Sequence, residues 1–278
     1  KKIMSLAPSA LLLALVSSLA IQTCALIPST PREQTARSIK SLRSAISKFD
    51  NKPRRLYVDY LIPLPVETTA ADIDPWPGGL AQMYPYAEDI VKEILKGIVG
   101  DDDAGGSSSQ VLSAPDCCGF FVQESKTSPS KDVAAILFPG VDQLDQIAQI
   151  DEMVGDRTLI LFNRQFQRPA DFGFGQKEKC NRLIFDRFSW GFAFQESVCR
   201  GEDVKLTYEA DVGWQSCVIC DEDVDVGATE TELFKPTEER PLYEDLEKKI
   251  NEVLPEPLWM RKMGEASEKG FKFQRGGD

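Results

Sequence analysis

Histidine is absent from all 278 residues. With it go the Ser-His-Asp triad, the Cys-His nucleophile, imidazole metal ligands and the usual general base near neutral pH. Any catalysis would fall to carboxylates, cysteine, lysine, tyrosine or backbone groups. No GxxxxGKS/T or GxGxxG phosphate loop occurs, so a nucleotide site would have to be unconventional. No asparagine begins an Asn-x-Ser/Thr acceptor, and the 7 cysteines lack the density of a small secreted disulfide scaffold. Beyond residue 25 no uninterrupted apolar run approaches the roughly 20 residues of a membrane span. That argues against a transmembrane segment in the mature chain and leaves peripheral contact as its route to a membrane.

What is present begins with a leader. Lys1 and Lys2 precede an apolar core from Ala10 to Ile21, and Thr23-Cys24-Ala25 follows as a small-residue cleavage site, so residues 1–25 read as a signal peptide. From Leu26 to Arg55 eight Lys or Arg face only Glu33 and Asp50. That composition suits a transit peptide, assigned to residues 26–38. An ordinary secreted protein with a basic propeptide is the alternative, against which the missing glycosylation acceptors and sparse cysteines both weigh. Ile39, Leu42, Ile46 and Phe49 also fall at helical spacing, so Thr35–Phe49 is alternatively the first helix of the folded domain. The two-part leader resembles that of algae with secondary plastids, with Leu26 where such leaders carry an aromatic residue. It implies a plastid protein, by default stromal.

Charge narrows the partners. Residues 1–55 hold 10 of the 32 basic and 2 of the 44 acidic residues, leaving 22 against 42, a balance of −20, over the rest. So acidic a chain repels phosphate backbones, and nucleic acid is not an expected partner.

Along the chain, Leu56–Leu64, Val133–Phe138 and Thr158–Phe162 are apolar, β-branched or aromatic runs expected as strands, with a further strand segment within Val111–Gln123. Leu80–Val99 and Asp142–Val154 carry apolar stripes at helical spacing. Asp101–Ser109 has the composition of a flexible, solvated loop. Arg182–Ser197, Asp203–Glu209 and Trp214–Cys220 are β-rich, the last two as a hairpin, and Leu242–Val253 is a closing amphipathic helix. Strand, helix, strand in succession predicts a right-handed parallel crossover. The expected fold is a three-layer, Rossmann-like α/β sandwich with a mostly parallel sheet and antiparallel additions. It forms one domain over residues 39–255, followed by a C-terminal tail, 256–278.

The motifs Val58-Asp59-Tyr60-Leu61-Ile62-Pro63, Trp76-Pro77-Gly78-Gly79, Ala134-Ala135-Ile136-Leu137-Phe138-Pro139 and Gly155-Asp156-Arg157 before Leu159-Ile160-Leu161-Phe162-Asn163 stand in that order. Together they resemble a plastid and cyanobacterial domain-of-unknown-function family, over about Ile39 to Gly213. That family includes the low photosystem II accumulation assembly factors and a domain fused to a chloroplast adenylate kinase. The resemblance implies plastid location and, for some members, work in photosystem biogenesis. It carries over no catalytic residue.

Other motifs yield less. Cys217-Val218-Ile219-Cys220 has redox or metal spacing, but an apolar, strand-like setting trailed by acids favours buried thiols, and adjacent Cys117-Cys118 is a poor ligand pair. Asp221, Asp223, Asp225 and Glu232 match calcium-loop spacing, yet Gly227 falls one place late and no helix precedes them, so a solvated acidic loop is expected. Asp171-Phe172-Gly173 lacks every other kinase element. A ligand would sit in the crevice at the carboxyl ends of the parallel strands, near Pro63, Trp76, Gly78, Gly79, Pro139, Gly140, Asp142 and Asn163, where the glycines and prolines serve equally to shape loops. The sequence names no catalytic residue, metal ligand or cofactor. Two functions fit it: a non-enzymatic stromal factor binding a photosystem or another thylakoid complex, or a small-molecule or nucleotide-binding enzyme. An apolar patch around Trp259, Met260 and Met263 would favour the first, and a pocket holding a carboxylate of raised pKa near Trp76 and Asp142 the second.

Overall fold

The protein is described here from a computed structural model, which describes residues 26–49, 53–64, 76–223 and 227–268, side chains at 221–223, 227–229 and 265–268 excepted. The signal-peptide reading lies outside these residues.

Helix α1, Pro31–Ser47, starts where its sequence permits: Thr30 caps the Glu33 N–H at 3.1 Å, and Pro31 occupies the first turn, where a missing N–H costs nothing. Its buried residues include Thr35, Ser38, Ser41, Leu42 and Ala45. Residues 31–38, assigned from sequence to the transit segment, are therefore the first half of a core helix, in keeping with the alternative reading of Thr35–Phe49. Strand β1, Arg55–Asp59, leads to α2, Gly79–Val99, which ends as the Gly100 N–H bonds the Lys96 carbonyl at 2.9 Å. Strands β2 (Ala104–Ser113) and β3 (Cys118–Ser125) form an antiparallel hairpin. Then come β4 (Val133–Leu137), α3 (Leu144–Val154) and β5 (Thr158–Phe162), the predicted crossover. A short α4 (Lys177–Cys180) continues into a π-helical turn, Asn181–Phe185. Antiparallel β6 (Ser189–Cys199), β7 (Glu202–Glu209), β8 (Gly213–Asp223) and β9 (Gly227–Thr237) follow, then α5 (Tyr243–Val253) and α6 (Leu258–Glu268).

The nine strands form one mixed sheet in the order β2-β3-β4-β5-β1-β6-β7-β8-β9. Its centre, β4-β5-β1-β6, is parallel and the flanks are antiparallel. Strands β4 and β5 are buried at every position, which is why they are apolar but for Thr158. Helices α1 and α2 cover one face through Leu42, Val91, Ile94 and Leu95; α3, α4 and the π turn cover the other, with α5 on that face over β6 to β9. The result is a three-layer α/β sandwich.

Two expectations are corrected. Asp101–Ser109 is not all loop: residues from Ala104 pair with β3, and the Gln123 amide braces the glycine pair by donating to the carbonyls of Gly105 and Gly106 at 3.3 and 3.2 Å. An edge strand needs a ladder rather than buried side chains, so composition conceals it. Residues 182–185 are π-helical rather than β. The expected C-terminal tail contains α6. Of the carboxylates with calcium-loop spacing, Asp221, Asp223 and Glu232 fall on the paired strands β8 and β9 rather than between helices; Asp225 and the side chains of Asp221 and Asp223 lie outside the described residues.

One glycine is dictated by packing. The register of β6 on β1 shifts at Tyr57/Val58, turning Trp190 toward α3 and Phe192 toward α1. Between them lies Gly191, whose carbonyl accepts from Ser41 Oγ at 2.5 Å, and an added Cβ would sit 2.5 Å from Leu42 Cδ2. Gly191→Val is expected to lower stability by about 1–3 kcal/mol, read as a fall in denaturation midpoint at unchanged m-value.

Candidate functional site

The chain leaves β1 toward the α1–α2 face and leaves β5 toward the opposite face, so a crevice opens at their carboxyl ends. Its volume is about 680 Å³. Asn163 forms its floor in the left-handed region (φ 49°), where asparagine is among the better-tolerated residues. Its side chain pins the β1 exit: Oδ1 accepts from the Tyr60 N–H at 2.6 Å and Nδ2 donates to the Tyr60 carbonyl at 2.8 Å.

The polar end is built around Asp59, the one acid of an otherwise apolar run. Gln195 Nε2 donates to its Oδ2, and Arg164 Nη1 stands 3.5 Å from its Oδ1. Burial raises the Asp59 pKa, opposed by Arg164, the Gln195 hydrogen bond and Arg240. The Arg164 guanidinium lies 4.1 Å from the Tyr57 ring centroid and 4.6 Å from that of Trp190, so both ring faces hold the cation. Arg240, from the segment after β9, donates through Nε to Gln195 Oε1 at 3.1 Å. Gln195 thus stands between carboxylate and guanidinium.

Of the residues nominated from sequence, Pro63, Trp76 and Asn163 line this crevice. Trp76 is buried among α2 residues, edge-to-face with Tyr86 at 5.5 Å. Gly78 and Gly79 do not line it. They make the turn into α2: Gly79 has φ +58° and donates to the Trp76 carbonyl at 2.7 Å, and Gly78 donates to Gln82 Oε1 at 3.0 Å. Pro139, Gly140 and Asp142 belong to the β4–α3 corner, where the Gly140 N–H is held by Gln143 Oε1 at 2.8 Å and Asp142 is exposed. The carboxylate of raised pKa in the crevice is Asp59, and Asp142 does not line it. Sequence reasoning quoted Asp59 only within a motif and passed over Gln34, Arg164, Gln195 and Arg240. A lone acid inside a β-rich run was the available signal for Asp59; nothing local marks Gln195 or Arg240, which only the fold brings together.

The cysteines stand apart. Cys217 is buried in β8, which pushes its thiol up to about 12, and Cys220 Sγ lies 3.6 Å from the Thr231 hydroxyl. Burial raises Cys118 to about 12 as well. Thiols so shifted are poor nucleophiles. Phe172 is packed against Phe166 at 4.7 Å, a core contact rather than a kinase loop.

A second feature lies at the end of the chain. Helix α6 is fastened by Arg261, whose Nη2 donates to both oxygens of buried Glu202 at 2.6 Å. Trp259, Met260 and Met263 remain exposed, at 62%, 44% and 60%. Among the described residues no helix is long and apolar enough to cross a membrane.

A family model described as a domain of unknown function (DUF1995) matches residues 28–248. The chain belongs to the DUF1995 family. The match begins three residues before α1, which this domain includes. Comparison with curated proteins finds no match. Among solved structures, the central domain of yeast acetyl-CoA carboxylase is similar at 8% identity and a TM-score of 0.24, over 75% of this chain and 43% of that one. The chain thus spans less than half of that structure, and so distant a likeness carries no argument about the DUF1995 domain's work.

Proposed function

We propose that this protein is a non-enzymatic auxiliary factor of the plastid stroma that binds a photosystem or another thylakoid complex during assembly. The observation that carries this reading is the apolar face of α6. Two methionines and a tryptophan are held in water on a helix fixed by a buried ion pair, an arrangement that costs solubility and suits a protein partner. The bipartite leader and the resemblance to assembly factors support the location and the class of partner. The expected experiment is native separation of solubilised thylakoids and stroma, followed by mass spectrometry of what co-migrates with the tagged chain. Co-migration with a thylakoid complex supports the reading, and a free stromal monomer contradicts it.

A second reading, a small-molecule enzyme at the strand carboxyl ends, is favoured by a buried carboxylate of raised pKa in a crevice. It is the weaker of the two. Both Asp59 oxygens are engaged by Gln195 and Arg164, and among the described lining residues there is no cysteine or lysine. The crevice is equipped to hold rather than to react.

A further inference from the structure

Three features of the crevice converge on one kind of ligand, independently of what α6 binds. First, two of the described residues that line it each hold a donor without a protein partner, buried just beneath the surface, so a ligand oxygen reaches it only as the side chain turns outward. Gln34 is 4% exposed with Nε2 unbonded, and the Arg164 side chain is 7% exposed with Nε unbonded. A buried donor without an acceptor costs about 1–3 kcal/mol, and a ligand oxygen would remove that cost. Second, the described lining escapes the acidic excess of the chain, with two arginines against two acids. In a chain of net charge −12, the guanidinium groups of Arg164, 3.5 Å from Asp59, and of Arg240, which interacts with it at longer range, share that one carboxylate, while Glu196, the other acid among the described lining residues, is paired with Lys205. The N-terminus of α1, at Ser29 to Pro31, borders the same space, with its dipole already met by the Glu33 carboxylate that accepts from the Ser29 N–H and hydroxyl. Third, one part of the wall is apolar, formed by Leu61, Ile62, Trp76, Met83 and Phe194, beside polar Gln165, Gln167 and Ser197.

We propose that the crevice binds a small organic acid, its carboxylate or phosphate head taken by Arg164 and Arg240 and its apolar body laid against Trp76, Met83 and Phe194. Gln34 supplies a further donor from the α1 side. Asp59 orients Arg164 but competes with the ligand for the same charge, so it limits affinity. A cavity of about 680 Å³ admits a metabolite-sized molecule. Inorganic phosphate alone would leave the apolar wall uncovered.

The test is calorimetric titration of the full chain with four probes: octanoate, octyl phosphate, octanol and inorganic phosphate. Octanoate or octyl phosphate is expected to bind at one site per chain, with octanol and inorganic phosphate at least about tenfold weaker, and the stronger of the two acids identifies the head group. Arg240→Gln, at an exposed residue, should weaken binding about tenfold or more, as loss of a charge-assisted hydrogen bond predicts. Asp59→Asn should tighten it severalfold, a gain that a damaged fold would not produce. Trp259→Ser should leave it unchanged, which separates this site from the α6 face. No saturable binding of either acid below about 1 mM, weaker binding in Asp59→Asn, or loss of binding in Trp259→Ser would overturn the proposal.

Discussion

Replacing Asp151 with leucine is expected to remove about 3–5 kcal/mol of stability, a large share of what holds a domain together. Its carboxylate is the hinge of a buried charge network, receiving Arg55 Nε at 2.5 Å on Oδ1 and Arg187 Nη1 at 2.6 Å on Oδ2. Arg55 opens β1 at 1% exposure and also donates to the carbonyls of Gly155 and Arg157 at 2.6 and 2.7 Å, clamping the end of α3 to the start of the central strand. Without Asp151 the Arg55 guanidinium stays buried with carbonyl dipoles but no directly bonded counter-charge, Asp156 acting only at longer range. Arg187→Gln removes only the outer partner, whose side chain is 33% exposed, and should cost under about 1 kcal/mol. Guanidinium denaturation of the two variants measures the difference; equal, small losses would show that the network contributes no net stability.

The double substitution Trp259→Ser with Met263→Ser is expected to lower association with thylakoid complexes by about tenfold or more while leaving the denaturation midpoint unchanged. Large aromatic anchors commonly contribute 2 kcal/mol or more, about thirtyfold, to an interface. These two residues contribute little to the fold, because both face solvent on a helix that Arg261 and Leu258 hold from its other side. Co-sedimentation with solubilised membranes across a protein concentration series gives the apparent affinity. An unchanged affinity would place the partner surface elsewhere, and a lowered midpoint would make α6 structural.

Much of this fold was legible because its centre repeats one physical signal. Val133–Leu137 and Thr158–Phe162 are buried at every position and apolar at all but Thr158, as befits strands covered on both faces, and the helix between them shows a stripe at 3.6-residue spacing. Legibility fails where stability comes from backbone ladders or long-range contact. The Gly-Gly-Ser-Ser-Ser stretch of β2 buries almost nothing, so its pairing with β3 leaves no trace in composition. Helix α6 buries only a narrow edge, and its anchor, Glu202, lies 59 residues away. The site divides in the same way. Asn163 and Trp76 could be placed at the strand ends because loops follow strands. The pairing of Asp59 with Gln195, 136 residues distant, exists only once β1 and β6 are neighbours, and that of Gln195 with Arg240 only once the segment after β9 returns to β6.

The central claim, that the protein acts by binding a thylakoid complex through α6, is tested most directly by native separation of solubilised plastid membranes carrying the tagged chain, wild type beside Trp259→Ser/Met263→Ser. The account predicts that the wild type migrates with a photosystem or other thylakoid complex and that the variant shifts to the free stromal position. Identical migration of the two, whether bound or free, would contradict it.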